Sequence, residues 1–432
     1  MRARNVQVLV VAAALALGAC DQSSASAPPP TSQPVATASP ASTPLTSQSP
    51  SQLPTVGAGG WQRIAAIDSA EAAQGFGAIL AIGFAGGYLV SDTRDVWFSR
   101  DGQSWELIRL ELAEGVPLGI ASLATDGSRG IVGGDYTPCT LHRWERNPFY
   151  DCRSRPASWL TVDGRTWSSS GAWTGPLGAP EKNGSAFAEI WSVPTAGWDA
   201  AQLFSGSDES DELEPTGPTI WHSIDGLSWS LLADRLTSLD AACPGWDNES
   251  LQVAADQQAR RVLAARCDSR PLLAASPDGR EYVPIAEFPG SWVGHLLAPA
   301  GSGPWLAGGD RRDGDATVWS STDLEAWSVA VLPVLPRHTR STLTALARTG
   351  DGYVAGGIAA TSGAAGSSDV VAEAVTWIST DASDWRLVDV EPGADLNLWR
   401  IATGPAGTLG FGTVPVAEDA YQLNVWQLVA PA

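Results

Sequence analysis

Residues 96–108 read VWFSRDGQSWELI, and this stretch decides the fold because the chain keeps returning to it. Its centre is Ser99-x-Asp101-Gly102-x-Ser104-Trp105. The same centre recurs as Thr161-x-Asp163-Gly164-x-Thr166-Trp167 and as Ser223-x-Asp225-Gly226-x-Ser228-Trp229. Shorter copies follow at Ser276-x-Asp278-Gly279 with Tyr282, at Ser321-x-Asp323 with Trp327, and at Ser379-x-Asp381 with Trp385. Runs rich in Trp, Val, Ile and Leu flank each copy, which is the pattern of a β-hairpin. An Asp side chain accepts bonds from backbone N–H groups a residue or two further on, and Gly supplies the positive φ of a tight turn. Asp101, Asp163, Asp225, Asp278, Asp323 and Asp381 are therefore read as structural staples of turns rather than as catalytic acids or metal ligands.

Working outward, the closing aromatics stand at 105, 167, 229, 282, 327 and 385, at intervals of 62, 62, 53, 45 and 58 residues. Each interval holds four short strands. In the fifth these are Val293–Ala298, Pro304–Gly308, Thr317–Ser321 and Ala326–Val331. A four-stranded unit of this length, repeated, is a propeller blade. Residues 397–428 supply three strands of a further unit and then lack a fourth. At the other end Trp61-Gln62-Arg63-Ile64 matches the fourth strands Trp105–Ile108 and Trp385–Val388 and has no blade before it. The expectation is an all-β, seven-bladed β-propeller of four-stranded antiparallel blades, closed by the N-terminal strand completing the last blade. Closure removes the exposed edges of an open array. Twelve of the 20 Trp occupy two repeat positions and read as packing: Trp97, Trp159, Trp221, Trp319, Trp377 and Trp426; Trp61, Trp105, Trp167, Trp229, Trp327 and Trp385.

The repeat closely resembles the Asp-box, or BNR repeat, of sialidases and related β-propellers. The first three copies carry the resemblance best; Leu324 and Ala382 replace the Gly in the last two. The resemblance implies the fold. For activity it implies only an alternative, a sialidase-like glycoside hydrolase with three Arg around a carboxylate, a Tyr nucleophile with a Glu partner, and a further acid. Arg63-Ile64 is followed by Ala65 where such enzymes carry Pro. Tyr88, Tyr282 and Tyr353 lie within repeat strands with no evident Glu beside them.

Before the repeat come two other segments. Residues 1–20 have a basic start, Arg2 and Arg4, and a ten-residue apolar run, Val8–Leu17, too short to span a bilayer. The run ends in Leu17-Gly18-Ala19-Cys20, which resembles a bacterial lipobox. That resemblance implies cleavage before Cys20, lipidation of its sulfur, and a location on the extracytoplasmic face of the cell membrane, held by the lipid anchor alone. Residues 21–57, rich in Ser, Pro, Ala and Thr, lack the apolar surface to fold and read as a tether reaching roughly 30–35 Å. The propeller takes residues 58–432.

The chain has 47 acidic against 26 basic residues and a formal charge of −21. Loss of Arg2 and Arg4 makes it −21 − 2 = −23. Such a balance excludes nucleic acid, whose phosphates need a basic face. After Cys20 there are four Cys. Of the three possible pairings, placement favours Cys139–Cys152 inside one insertion and Cys243–Cys267 across the first hairpin of blade four. With four His and no CxxC, no metal site is expected. His222 and His295 read as strand packing residues.

Function then falls to the face carrying the strand 2–3 loops, where length varies most. Blade two inserts 136–156, blade three the acidic 208–214, blade six the Ala/Gly/Ser run 359–369. Acids end second strands at Asp92, Asp135, Asp208, Asp268 and Asp310. Asp135, Asp208 and Asp310, with the loop aromatics Trp144, Trp173 and Trp246, are the candidate ligand-binding residues. The resulting expectation is a monomeric, non-catalytic binding module without cofactor, for an extracytoplasmic protein or glycan.

Overall fold

The computed structural model describes residues 60–68, 79–110, 117–136, 139–144, 147–152, 155–170, 185–204, 219–233, 236–243, 246–267, 270–285, 288, 290, 292–311, 315–333, 340–361, 371–388, 397–417 and 420–429. The proposed leader with Cys20, the tether, Trp173 and Asp208 lie outside them.

The chain enters through β1 (Gly60–Ile67). Blade one is β2 (Leu80–Phe84), β3 (Gly87–Ser91), β4 (Val96–Ser99) and β5 (Glu106–Ile108). Blade two begins with β6 (Pro117–Thr125) and β7 (Gly130–Tyr136). It then sends out a separate hairpin, β8 (Cys139–Trp144) and β9 (Asn147–Cys152), and resumes with β10 (Arg155–Thr161) and β11 (Trp167–Ser169). Blade three is β12 (Ser185–Val193), β13 (Gly197–Phe204), β14 (Thr219–Ser223) and β15 (Ser230–Ala233). After the short helix α1 (Thr237–Ala242), blade four is β16 (Trp246–Ala255), β17 (Arg261–Cys267), β18 (Arg270–Ser276) and β19 (Val283–Pro284). Blade five is β20 (Trp292–Leu297), β21 (Trp305–Asp310), β22 (Ala316–Ser321) and β23 (Ser328–Val331). Blade six is β24 (Arg340–Thr349), β25 (Gly352–Thr361), β26 (Val371–Ser379) and β27 (Arg386–Val388). Blade seven takes β28 (Asn397–Gly404), β29 (Gly407–Ala417) and β30 (Ala420–Val429), with β1 as its outermost strand.

This is a seven-bladed β-propeller. The closing strand pairs antiparallel with the last one, Trp61 opposite Leu428 and Ile67 opposite Leu423. The innermost strands touch in sequence around a ring, β2 to β6, β12, β16, β20, β24, β28 and back to β2. The short helix lies in the connection between blades three and four and leaves the all-β architecture intact. Leu236 and Leu239 carry it into the apolar layer between blades three and four, a helical i, i+3 spacing that strand alternation does not provide.

Apolar packing lies between the blades rather than within any one. One buried cluster fills each of the seven interfaces among the described residues. The strand-three indoles supply much of it: Trp97, Trp159, Trp221, Trp319, Trp377 and Trp426 are all buried. Three of the fourth-strand indoles have a second task. Nε1 of Trp105 donates to the Gly102 carbonyl at 3.0 Å, Trp167 to Gly164 at 3.2 Å and Trp385 to Ala382 at 3.1 Å, so each ring is tied to its own turn.

The turns themselves show why the motif has its spacing. Oδ1 of Asp225 accepts the N–H groups of Leu227 at 2.8 Å and Ser228 at 2.6 Å, while Ser223 Oγ accepts Gly226 N–H at 2.8 Å. Asp101, Asp163, Asp323 and Asp381 each accept the equivalent pair of N–H groups, and Asp278 accepts one, from Arg280. Desolvation acts to raise Asp225, but the N–H groups of Ser228 and Leu227 outweigh it and hold the carboxyl near 2. The fourth position of every turn is left-handed: φ is 77° at Gly102 and Gly164, 78° at Gly226, 81° at Gly279, 73° at Leu324 and 68° at Ala382.

Why two blades tolerate a side chain there follows from what faces it. A Cβ on Gly164 would meet the Phe98 ring at 2.0 Å, and one on Gly102 would meet Leu409 at 2.6 Å. Leu324 instead shares its interface cluster with the small Ala275 of the preceding blade. Volume is thus exchanged across the interface. Gly164→Ala should cost about 2–3 kcal/mol, part left-handed strain and part overpacking. Combining it with Phe98→Leu should cost less than the sum of the two single changes. Denaturation midpoints of the four proteins of that cycle check this, and strict additivity would refute the exchange.

Candidate functional site: a polar ring in the central channel

In each blade one residue of the innermost strand stands, through the second strand, in line with the strand-three Trp position. In blade one the ladder runs Ala81–Val90–Trp97, in blade three Ile190–Ala200–Trp221, and in blade seven Ile401–Gly410–Trp426. The residue just before it in the seven blades is Leu80, Ser122, Glu189, Gln252, His295, Ala345 and Arg400. Directly ahead of this position the innermost strand is bulged in blades two, three, five, six and seven, and irregular in blade four. A bulge re-aims the next side chain, which explains how polar residues of a core strand come to face the axis. Six of the seven line one cavity of about 110 Å³, together with Ala81 and Leu123.

Burial sets the electrostatics of this cavity. Desolvation lifts the Glu189 carboxyl to about 8 even though the positive charge of Arg400 pulls the other way. Desolvation, reinforced by Arg400, lowers the His295 imidazole to about 3 against a backbone hydrogen bond at Thr344. Desolvation also lowers Arg400, with Glu189 opposing. At neutral pH the three groups are therefore a largely protonated carboxyl, a neutral imidazole and a guanidinium, a net charge near +1. One guanidinium donor is spent on the Trp399 carbonyl, Nη1 to O at 2.8 Å. The ion pairs among the described residues do not include Arg400. Gln252 Nε2 donates to Leu251 O at 3.0 Å, and Ser122 Oγ accepts the Ile190 N–H at 2.8 Å, joining blades two and three at the ring. Beside Arg400, the bulge residue Trp399 is 38 % exposed, and its Nε1 donates to Thr413 Oγ1 at 3.2 Å.

The candidates read from sequence do not gather at this ring. Asp310 Oδ1 accepts the Leu343 N–H of the next blade at 3.2 Å. Desolvation raises its carboxyl to about 6, with Leu343 opposing and Asp315 reinforcing. Asp135 stands opposite Gly119, at the far end of blade two's first hairpin, and Asp92 accepts the N–H groups of Arg94 and Asp95. Trp144 lies at the tip of the β8–β9 hairpin and Trp246 opens β16, opposite Cys267. Cys243 and Cys267 are joined by a disulfide with Cα atoms 5.6 Å apart. Cys139 and Cys152 face each other in the β8–β9 register. No group of three or more His, Cys, Asp or Glu suited to a metal ion occurs among the described residues.

Both histidines correct their reading as packing residues. His295 lines the cavity, and His222 Nδ1 sits 2.7 Å from Asp199 Oδ1. The ring as a whole escaped the sequence reading. Its signal is a polar residue directly before an apolar one in five of the seven first strands: Ser122-Leu123, Glu189-Ile190, Gln252-Val253, His295-Leu296, Arg400-Ile401.

No family model matches this sequence, and no curated protein does. Among solved structures, a Trypanosoma rangeli sialidase is similar with a TM-score of 0.38 and 11% identity, over 82% of this chain and 54% of that one. The chain thus spans about half the length of that sialidase. A Lactobacillus plantarum protein gives 0.45 and 9% over 82% and 97% of the two chains. A Penicillium chrysogenum α-L-arabinanase gives 0.32 and 12% over 72% and 81%. Likeness at this level assigns no activity to this chain.

Proposed function

We propose that this protein is a lipid-anchored, extracytoplasmic propeller that binds a protein or glycan ligand without transforming it, using the axial cavity and the loop face around it. The observation that carries the reading is the convergence of Ser122, Glu189, Gln252, His295 and Arg400 from five blades on one cavity. At about 110 Å³ it holds only a small group. That is below the roughly 300–1,000 Å³ of pockets that enclose a drug-sized ligand. A larger ligand would therefore rest on the rim and send one group inside.

The hydrolase alternative needs three Arg, a Tyr and a Glu together. The cavity lining contains one Arg, one Glu and no Tyr. Tyr88 spends its hydroxyl on the Gly407 carbonyl, 2.8 Å, and the Ala406 N–H, 3.0 Å. Tyr282 and Tyr353 are packed between blades. The hydroxyl that lines the cavity, that of Ser122, accepts the Ile190 N–H, and His295 is held neutral by burial.

The lipidated full-length protein in detergent should capture a partner or glycan from extracytoplasmic extracts, with capture weakened by Arg400→Gln. It should release no fluorophore from a fluorogenic sialoside. Sialoside turnover abolished by Glu189→Gln would overturn the binding reading in favour of the hydrolase.

A further inference from the structure

We propose that the axial cavity is a proton-coupled anion site: a small monovalent anion of acetate size or less binds Arg400, and Glu189 takes up one proton as it does so. The proposal rests on the channel being the ligand-facing part of this propeller, and adds what enters it and what is exchanged.

The argument starts from charge. Arg400 keeps a permanent positive charge, is half-buried, and commits one of its five N–H donors, to Trp399 O. The carboxyl whose charge acts on it is that of Glu189, ionised above about pH 8 and felt through space. An anion in the cavity would compete with that carboxylate for the same guanidinium. Two negative charges and one positive in a space of about 110 Å³ are unfavourable, so one must be neutralised. Glu189 is the group able to do this, since burial already favours its protonated form.

The remaining surroundings agree. His295 on β20 stays neutral, so it neither supplies the proton nor adds a charge. Leu80 and Ala81 on β2, Ser122 and Leu123 on β6 and Gln252 on β16 bring no titratable group to the cavity. On the neighbouring strands, Asp199 of β13 is turned to His222 and Arg261, and Asp135 of β7 lies against Gly119. Gln252 and Ser122 offer uncharged polar contacts to an anion. The volume admits chloride, formate or acetate whole, and a larger molecule only by one group.

The test is calorimetry of the full-length protein in detergent, titrated with sodium acetate or sodium chloride at pH 8.5, where Glu189 is substantially ionised. The same salts titrated into Arg400→Gln supply the ionic-strength control. Repetition in buffers of different ionisation heat gives the protons taken up per anion. The wild type should show saturable binding with uptake approaching one proton, and affinity falling as pH rises. Glu189→Gln should bind the anion with uptake near zero and a flat pH dependence. Arg400→Gln should weaken binding at least about tenfold. Should Arg400→Gln fold poorly, Arg400→Lys, which keeps the charge, should retain uptake. Absence of saturable binding by either anion would overturn the proposal, as would uptake unchanged in Glu189→Gln. Neither result touches partner capture by the rim, so the two readings fail separately.

Discussion

Arg261→Ala should be the most damaging single substitution at any blade interface of this protein, costing about 3–5 kcal/mol. Arg261 Nε donates to Asp199 Oδ2 at 2.7 Å, and Asp199 Oδ1 lies 2.7 Å from His222 Nδ1. Asp199 is fully buried on blade three and Arg261 is 5% exposed on blade four. Removing the guanidinium leaves a carboxylate out of water with only an imidazole partner, which is where the penalty arises. The phenol of Tyr282 reports the same field. Burial first, and the Asp199 charge second, push it above its ordinary range, and its hydroxyl lacks a hydrogen-bond partner. Replacing the pair together, Asp199→Leu with Arg261→Met, should recover most of the loss, because neither charge is then stranded. Denaturation midpoints of the single and double variants decide the matter. Equal losses in Arg261→Ala and in the paired replacement would show that packing, not charge, sets the cost.

This pair also explains why blade four departs from the repeat. The second-strand residue opposite the turn Ser is Tyr88 in blade one, Trp198 in blade three, Trp305 in blade five and Tyr353 in blade six. In blade four it is Arg261, opposite Ser276. An aromatic slot has been given to a cation, and Asp199 on the neighbouring blade answers it. Elsewhere a cation joins the slot from outside: Arg129 of blade two lies over Trp198, and Arg260 of blade four over Trp305. Each of these Arg residues is held by an Asp of its own turn, Asp126 and Asp256.

The repeat was legible because turn chemistry is local. Ser-x-Asp-Gly carries its own hydrogen bonds within a few residues, so Asp101 or Asp225 can be read without knowing what packs around it. Blade number and closure followed from counting those turns and noticing that Trp61–Ile64 had no blade of its own. The ring of Glu189, His295 and Arg400 is not local in that sense. Its members are aligned by ladder register, and loops of unequal length separate them from the turns: 34 residues from Glu189 to Ser223, but 26 from His295 to Ser321. A bulge of one residue further breaks any fixed spacing. The Asp310 contact is likewise non-local: its Oδ1 accepts the Leu343 N–H of the next blade, a partner that strand-end position alone does not reveal. Leu324, a departure from the motif, became intelligible only through the small Ala275 in its interface cluster.

Stability should fall as pH rises from about 6.5 to 8, and Glu189→Gln should abolish that fall. The Glu189 carboxyl moves from 4.5 in an exposed chain to about 8 in the fold. Between those values the native state holds a proton that the unfolded chain has released, so each step upward favours unfolding, and the loss levels off above about 8. Asp310, raised from 3.8 to about 6, acts in the same sense over its own lower range. His295 acts in the opposite sense. Its native value of about 3 lies below 6.5, so stability rises with pH until about 6.5 and is unaffected beyond. Above pH 6.5 only Glu189 of these three still changes its proton content on unfolding. At about 1.36 kcal/mol per pH unit, the interval to pH 8 amounts to roughly 2 kcal/mol, less what channel water screens. Arg400→Gln should steepen the slope, because Arg400 is the charge that holds the Glu189 value down. Parallel curves of midpoint against pH for the wild type and Glu189→Gln would show that the carboxyl titrates as it does in solvent. In that case the cavity would lack the electrostatic tension on which proton-coupled anion binding depends.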